Sequence, residues 1–418
     1  MTSLLRMAWK ERPVHSLAVA SLAWALLCGC DPAPRPASSR PSDASAPTCS
    51  PAIEGLHQAL LQIDSMFVAR LESDEIPGIA AAVICSGELI WDAAYGVTAL
   101  DDPRPVTPQT RFRIASITKL FTATAVMKLQ EAGLLSLTDA VSTHLAWFRI
   151  GRPPGEGEAP VTIWHLLTHT SGMPRDSRLT DFARLYQPGR DDAIQALPSQ
   201  ELESALGERY AYSNLGYGVL GELIAEVSGK TYAEYLVDEI LKPMEMDATL
   251  VHPTPEDDTA WGHGPRRPDG LRLKAGFWDL GFATPAGGMA SSTRDLSKFV
   301  ILQLEPYVGR KPRLLPAETL REMHAVHYLV DPARGGSGVA WGVETSAGQH
   351  VVYHGGELPE QSSYMMIDVL GSIGIVVLTN AQDVDAAGLA QGALDIIRSA
   401  VERGRERSTD ALRGPETQ

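Results

Sequence analysis

The chain has 418 residues, 44% hydrophobic and 21% charged, with a formal net charge of −15. These fractions are typical of a soluble globular protein with one large domain or two domains of average size. The acidic balance excludes nucleic acid as an expected partner, because a phosphate-binding surface needs clustered Lys and Arg, and the folded part has no such cluster.

Residues 1–30 predict an export signal. A basic start precedes the apolar run 17–27, which is too short for a good membrane-spanning helix of about 20 residues. The run ends in Leu27-Cys28-Gly29-Cys30, which resembles a bacterial lipobox, in which the last cysteine is lipidated. We therefore predict an exported, periplasm-facing envelope lipoprotein anchored to a membrane through Cys30. A plain signal peptide that is cleaved nearby is the alternative.

Residues 31–51 are rich in Pro, Ala and Ser and have almost nothing apolar to bury, so we predict a flexible tether. Beyond Cys30, the mature chain keeps Cys49 and Cys85. A disulfide between these two cysteines is compatible with an oxidising compartment. Two free thiols, with Cys85 buried in a strand, fit the sequence equally well, because spacing does not fix connectivity.

The predicted domain covers residues 52–403. Apolar positions at helical spacing predict an amphipathic helix over 53–71, and the apolar runs 78–85 and 88–97 predict a β-hairpin. A mostly apolar segment over 117–132, closed by Gly133, predicts a buried helix with a glycine C-cap.

Helix signals dominate from about residue 134 to 299, and a final helix is predicted over 386–401. Strand signals return late in the chain, in the runs 338–345, 350–353, 362–369 and 374–380. This order predicts an α+β fold with an antiparallel β-sheet flanked by helices. The sheet is built from both chain ends, and a mostly α-helical subdomain is inserted at about 134–299. The polar residues 404–418 are predicted to form a disordered tail.

Ser116 and Lys119 stand three positions apart at the start of the predicted buried helix, so hydroxyl and amine share a helix face. A serine hydroxyl needs a base to become a nucleophile. A lysine in apolar surroundings can be that base, because desolvation lowers its pKa. No other serine here has a lysine three positions on. Taken alone, the pair also fits a helix N-cap beside a solvated lysine.

Two further motifs carry polar groups of catalytic type. Tyr212-Ser213-Asn214 precedes an apolar run, and a tyrosine near an ammonium group loses its proton more easily and serves as a general base. His354-Gly355-Gly356 is predicted in a loop or at a strand end, where glycines allow close approach of a ligand and a protonated imidazole binds a carboxylate. The structural alternatives are a packed tyrosine with an asparagine cap, and a hairpin turn beside an exposed histidine.

Together the three motifs resemble the serine β-lactamase and penicillin-binding protein family, which uses S-x-x-K as its nucleophile motif. Four further segments fit that family in order and spacing: Phe112-Arg113-Ile114-Ala115, the stretch 161–172, Pro285-Ala286-Gly287-Gly288-Met289, and Leu378-Thr379-Asn380. The resemblance extends over about 53–401. It is strongest to the class C branch, which includes D-alanyl-D-alanine carboxypeptidases and related esterases.

The resemblance implies a role for each matching residue. Ser116 would attack and form an acyl-enzyme, Lys119 and Tyr212 would transfer protons, and Asn214 would orient substrate and lysine. Backbone N–H groups of Ser116 and Glu357 would form the oxyanion hole, which stabilises charge that develops in the transition state.

The implied substrate is a small molecule or peptide with an ester, D-amino-acid amide or β-lactam, bound by Asn214, His354, Gly355, Gly356 and Glu357. No cofactor or metal is implied. An inactive penicillin-binding-protein-like module that binds peptidoglycan or a partner is the alternative function. The complete set of predicted catalytic residues disfavours it.

The sequence departs from the family at two places. His354 stands where many β-lactamases have lysine, so a fixed positive charge becomes a mostly neutral group and carboxylate recognition should weaken. Pro359-Glu360-Gln361 stands where relatives often have glycine and an aromatic residue, so we expect a different pocket rim.

Two other motifs are interpreted as structural. Gly216, Gly218 and Gly221 form G-x-G-x-x-G, but no strand precedes them as a dinucleotide site requires, so we predict close helix packing. His165 and His169 are four positions apart without the glutamate of H-E-x-x-H or an evident third ligand, which favours a structural pair over a metal site.

Overall fold

An eight-stranded antiparallel β-sheet forms the centre of the fold. The computed structural model describes residues 49–50, 55–151, 159–180 and 184–413. Cys30, the predicted export signal and nearly all of the predicted tether lie outside these ranges. Within these ranges ten strands are present: β1 Gly78–Cys85, β2 Glu88–Gly96, β3 Phe112–Arg113, β4 Ala290–Ser291, β5 Tyr328–Asp331, β6 Gly335–Ser337, β7 Gly342–Glu344, β8 Val351–Leu358, β9 Gln361–Asp368 and β10 Ile373–Thr379. The strand order in the large sheet is β2-β1-β10-β9-β8-β7-β6-β5.

Eleven α-helices are described around the sheet, several of them only one turn long. They are α1 Leu56–Ser73, α2 Thr118–Glu131, α3 Val141–His144, α4 Ile163–Leu167, α5 Arg190–Ala196, α6 Asn214–Ser228, α7 Tyr232–Leu236, α8 Thr284–Gly287, α9 Thr293–Leu304, α10 Ala317–Met323 and α11 Ala386–Arg413. Within the described ranges, no helix combines the length and apolar composition needed to cross a bilayer.

Strand β1 shows how the sheet is covered on both faces. All of its side chains are buried, and alternate residues point to opposite faces. Ile79, Ala81 and Val83 join the core beneath α1 and α11, whereas Ala80 and Ala82 join the core that contains α9 and the helical part. The predicted α+β fold, with helices flanking an antiparallel sheet built from both chain ends, is confirmed.

Two predicted boundaries are wrong. The limit near residue 299 falls inside α9, which packs against β1 and β10 and so belongs to the sheet layers. Helix α11 continues to Arg413, where the sequence predicts a disordered tail from residue 404. Residues 402–413 are mostly Glu, Arg, Ala and Leu, which have high intrinsic helix propensity.

The sequence left the state of two cysteines open, and the structure joins them. Cys49 and Cys85 form a disulfide with Cα atoms 5.4 Å apart, and both are buried in the core under α1 and α11. The cross-link ties the segment before α1 to the end of β1. It closes a loop with a sequence separation of 36 residues.

The G-x-G-x-x-G motif lies within α6 and allows close helix packing, as predicted. A Cβ on Gly218 would stand 2.5 Å from the ring of Phe282, and one on Gly221 would stand 2.2 Å from the ring of Pro285. Cβ atoms do not make non-bonded contacts this short, so α6 packs this closely against α8 and the turn before it, Gly281–Ala283, only because both positions are glycine.

Candidate active site

Ser116 lies in a short 3-10 turn, Ala115–Ile117, between β3 and α2. Ala115 has a φ of 46°, a left-handed conformation that is uncommon for a residue with a side chain and marks a constrained turn. The turn is held from both sides. Ile114 donates its N–H to the carbonyl of Met289 at 3.0 Å, and β3 pairs with β4.

Lys119 is fully buried in the first turn of α2, where its Nζ meets three oxygens. These are Ser116 Oγ at 3.2 Å, Asn214 Oδ1 at 2.8 Å and the carbonyl oxygen of Ala286 at 2.7 Å. Burial and the nearby positive charge of Arg175 hold the Lys119 pKa well below its ordinary value. This shift favours the neutral amine, which has two N–H donors and one lone pair.

The partners of Lys119 determine where that lone pair points. The oxygens of Asn214 and Ala286 accept hydrogen bonds and have no proton to donate. A neutral amine therefore donates its two N–H groups to these two oxygens. The lone pair is left for Ser116, whose hydroxyl is the only one of the three partners that has a proton to give.

Tyr212 contacts the same serine through its phenol. The Tyr212 hydroxyl is hydrogen-bonded to the Ser116 side chain, and Lys119 Nζ lies 4.6 Å from the centre of the Tyr212 ring. Burial raises the Tyr212 pKa to about 12, although the Ser116 hydrogen bond and Arg175 act the other way. The expected easier deprotonation is wrong, because burial outweighs those effects. Tyr212 is thus a protonated donor at neutral pH.

Asn214 begins α6 and connects Lys119 to Asp176. Asp176 and its neighbour Arg175 are two residues of the site that the sequence did not indicate. The Nδ2 of Asn214 donates to Asp176 Oδ1 at 2.8 Å, which fixes the amide with Oδ1 towards Lys119. The guanidinium carbon of Arg175 lies 5.1 Å from the centre of the Tyr212 ring. Both residues closely follow the recognisable stretch 161–172, and that position is the only sequence signal that points to them.

His354 lies within β8 rather than in the predicted loop or strand end. Its Nδ1 is 2.7 Å from the carbonyl oxygen of Gly355. Burial lowers the His354 pKa to about 4, so the imidazole is neutral at neutral pH. This agrees with the expected loss of a fixed positive charge in the third motif.

Gly356 brings β8 against the Ser116 turn. A Cβ at this position would stand 2.4 Å from the carbonyl oxygen of Ile114 and 2.3 Å from Ser363 Oγ. Only glycine permits this approach. The next residue, Glu357, lines the same cavity of about 240 Å³ as Ser116, Arg175 and Asn214.

A second cavity, of about 390 Å³, lies on the Tyr212 side of the site. Aromatic side chains form much of its wall, together with charged residues of the β5–β7 segment: Tyr210, Tyr212, Tyr353, His354, Asp331, Arg334 and Glu344. Tyr212 and its partner Ser116 thus stand where the two cavities approach each other.

The segment Pro359-Glu360-Gln361, where the sequence departs from the family pattern, does not place all of its side chains at the rim of the Ser116 cavity. Pro359 lines the Ser116 cavity, but the Glu360 side chain turns inward and is only 3% exposed. It lines a small space together with Arg113 and Thr259, and burial raises the Glu360 pKa to about 8. A carboxyl group thus sits beside the residues that lead into Ser116.

His165 has a structural place in the fold, as predicted. Its Nδ1 lies 2.9 Å from the Thr162 hydroxyl, and the two residues form a capping box at the start of α4. Over the parts of the chain that the structure describes, no group of three or more His, Cys, Asp or Glu is placed to hold a metal.

Comparison with known proteins agrees with this architecture. The β-lactamase family model matches residues 63–397. The protein flp of Staphylococcus aureus is 31% identical over 323 residues, 76% of this chain but 62% of that protein. Beta-lactamase-like protein 2 of Dictyostelium discoideum is 28% identical over 283 residues, 66% of this chain and 50% of its own length.

A solved structure is similar as well. It is the octameric penicillin-binding protein homologue from Pyrococcus abyssi, with a TM-score of 0.72 at 28% identity, covering 81% of this chain and 77% of the other. The chain spans about three fifths of the staphylococcal relatives' length. With a family model matched over most of its length and the same fold, this chain belongs to the β-lactamase family of serine hydrolases and penicillin-binding proteins.

Proposed function

We propose that this protein is an exported serine hydrolase that forms an acyl-enzyme at Ser116. The observation that carries the proposal is the environment of Lys119. The fully buried amine lies 2.8 Å from Asn214 Oδ1, 2.7 Å from the Ala286 carbonyl oxygen and 3.2 Å from Ser116 Oγ, so that in its neutral form it can donate to the first two and accept the serine proton. A helix cap beside a solvated lysine would have none of these contacts.

In the proposed first half-reaction, Ser116 Oγ attacks the carbonyl carbon while its proton passes to the lone pair of Lys119. The oxygen that becomes negative is stabilised by the backbone N–H groups of Ser116 and Glu357. When the tetrahedral intermediate collapses, the bond to the leaving group breaks. Tyr212 gives that group a proton and is reprotonated from Lys119.

In the second half-reaction, water attacks the acyl-enzyme and gives its proton to the same lysine–tyrosine pair. The acid is released, and Ser116 regains its proton. Each proton taken up is returned within one cycle. This agrees with a Tyr212 that is a donor at rest, because its pKa is raised, and with Lys119 as the resting base.

We propose an ester, a D-amino-acid amide or a β-lactam as the substrate. The neutral His354 removes the fixed positive charge that a lysine would provide in the third motif, so binding depends less on a substrate carboxylate. Two cavities of about 240 and 390 Å³ near Ser116 and Tyr212 leave room for groups on both sides of the bond that breaks.

We further propose export and anchoring through a lipid on Cys30, which would place the domain in the periplasm-facing envelope. The basic and apolar start of the sequence supports this. The buried Cys49–Cys85 disulfide supports it independently, because structural disulfides form and persist in oxidising compartments.

The function is tested by comparing the purified wild type with Ser116→Ala. The probes are a short-chain nitrophenyl ester, a fluorescent penicillin and a chromogenic cephalosporin. Turnover or labelling by the wild type alone supports the proposal. Ser65→Ala is a matched control, since that serine lies on the exposed side of α1 with its Oγ bonded to Leu61.

The three probes also separate the substrate classes. Ester turnover alone indicates an esterase, stable penicillin labelling a peptidase, and rapid cephalosporin hydrolysis a β-lactamase. If wild type and Ser116→Ala are equally inert with all three probes, the inactive binding module replaces the hydrolase.

A further inference from the structure

His169 holds the backbone on both sides of Tyr212. Its carbonyl oxygen accepts the N–H of Ala211 at 2.7 Å, and its Nδ1 accepts the N–H of Ser213 at 3.0 Å. Ala211 and Ser213 are the two chain neighbours of Tyr212. His169 therefore holds the peptide group that directly follows Tyr212 and the peptide group that precedes Ala211, and these two contacts restrict the backbone that carries the Tyr212 side chain.

The imidazole also packs against the phenol ring. The ring centres of His169 and Tyr212 are 4.5 Å apart with planes inclined by 31°, and Tyr217 lies at 5.0 Å from the same imidazole. His169 is only 2% exposed. The Tyr212 ring thus has a rigid wall on the side of this histidine.

Two features show that the arrangement is constrained. His169 has a φ of 57°, in the left-handed region that disfavours residues with side chains. Its Nε2 is buried and has no hydrogen-bond partner among the residues that the structure describes. Because Nδ1 accepts the Ser213 N–H, the ring proton must lie on Nε2, and that N–H remains unpaired at a cost in stability. The local geometry is therefore retained despite two unfavourable terms.

Resting on the hydrolase function above, we propose that His169 is the positioning residue of Tyr212. It fixes the Tyr212 hydroxyl against Ser116 and touches no reacting atom itself. Proton transfer requires the two oxygens within hydrogen-bond distance, and a misplacement of about 1 Å costs about 100-fold in rate. The histidine pair that the sequence indicated thus divides its roles, since His165 caps α4 and His169 orients the proposed proton donor.

Two variants separate the side chain from the backbone conformation. His169→Gly keeps the left-handed φ without strain and removes the ring. His169→Asn also tolerates that φ, and its Oδ1 can accept the Ser213 N–H. With the nitrophenyl ester, we expect His169→Gly to lower kcat about 100-fold with KM nearly unchanged, and His169→Asn to recover about tenfold of the loss.

The decisive measurement is a double-mutant cycle with Tyr212→Phe. If His169 acts through Tyr212, His169→Gly adds almost no further loss in the Tyr212→Phe background. Equal losses in both backgrounds would overturn the proposal, and so would full activity of His169→Gly. His165→Ala is the matched control, because it removes an imidazole that does not contact Tyr212.

A readout without substrate keeps this proposal separate from the proposed function. With 3-fluorotyrosine placed at Tyr212, the wild type should give one sharp fluorine resonance, and His169→Gly should give broadened or multiple resonances. Sharp spectra in both proteins contradict positioning whatever the activity. A sharp-to-broad change in a protein that is inert towards the ester, the penicillin and the cephalosporin refutes the hydrolase function and leaves positioning intact.

Discussion

Lys119 shows how burial and hydrogen-bond partners together select a protonation state. A charged amine has three N–H donors, and here the third would point at a hydroxyl that is itself needed as a proton source. Desolvation and Arg175 disfavour the charge, whereas Asp176 favours it. Arg175 and Asp176 are neighbours in sequence with opposite effects on Lys119, so their variants test the base assignment by sign.

We predict a kcat/KM for the nitrophenyl ester that falls as the pH drops through the Lys119 pKa, because protonation removes the lone pair. Arg175→Gln removes a positive charge, raises the Lys119 pKa and moves the acidic limb to higher pH. Asp176→Asn moves it to lower pH. The pH profiles of kcat/KM measure both shifts. If the two variants displaced the acidic limb equally and in the same direction, the result would contradict Lys119 as the base.

The sequence predicted which residues form the site, but it did not predict the protonation behaviour of each one. Ser116, Lys119, Tyr212, Asn214 and His354 followed from spaced motifs, and the structure brings them together. The direction of the Tyr212 pKa shift was wrong, because burial by distant segments cannot be read from a tripeptide. Arg175 and Asp176 were not predicted, because only the path of the folded chain after 161–172 places them at the site.

The elements follow the sequence closely where apolar patterns are strong. Strand β1 matches its predicted limits, β2 ends one residue early, and β10 shifts by one residue. Strand β8 extends to Leu358, past the predicted end at residue 353, because its glycines pair with β9 instead of forming a turn. Strands β5 and β6 were missed, since they are short and Gly335 and Gly336 carry no strand pattern.

The contact between α6 and α8 links helix packing to the lysine. A Cβ at Gly221 meets the Pro285 ring at 2.2 Å, and the next residue, Ala286, provides the carbonyl that Lys119 binds at 2.7 Å. Separation of the two helices would therefore move an acceptor of the proposed base. A substitution that overpacks this contact should therefore lower the catalytic rate as well as the stability.

We predict that Gly221→Ala lowers the free energy of unfolding by about 1–3 kcal/mol, as overpacking usually does, and lowers kcat even where the protein remains folded. Gly216→Ala is the matched control on the same helix, because its Cβ would meet its nearest atoms at 3.4 and 3.5 Å. Urea unfolding and ester kinetics check both variants. Equal effects at the two positions would contradict the packing argument.

The whole molecule joins its first and last segments in one sheet. Strand β1 lies between β2 and β10, with antiparallel pairing on both sides, and α1 packs against α11 over that part of the sheet. The order of helix and strand signals along the chain was sufficient to predict this closure. The same order of signals did not give the end of the helical subdomain correctly, because α9 has a helical sequence pattern but packs on the sheet.

We predict that replacing Cys49 with serine and Cys85 with alanine lowers the free energy of unfolding by up to about 4 kcal/mol. The figure follows from the entropy of closing a loop with a separation of 36 residues. Thermal or urea unfolding of the variant beside the oxidised wild type measures it. Unchanged stability would mean that the cross-link does not restrict the unfolded chain.

The disulfide also determines where a mechanical load enters the domain. Tension on the chain before Cys49 passes through the sulfur atoms into the end of β1. Helix α1 lies inside the covalent loop and is bypassed. Strand β1 is hydrogen-bonded along its length to β2 and to β10, so a pull along the strand is resisted by two ladders in shear. A domain suspended from its N-terminus would hang from its sheet, with α1 and the Ser116 turn outside the line of force.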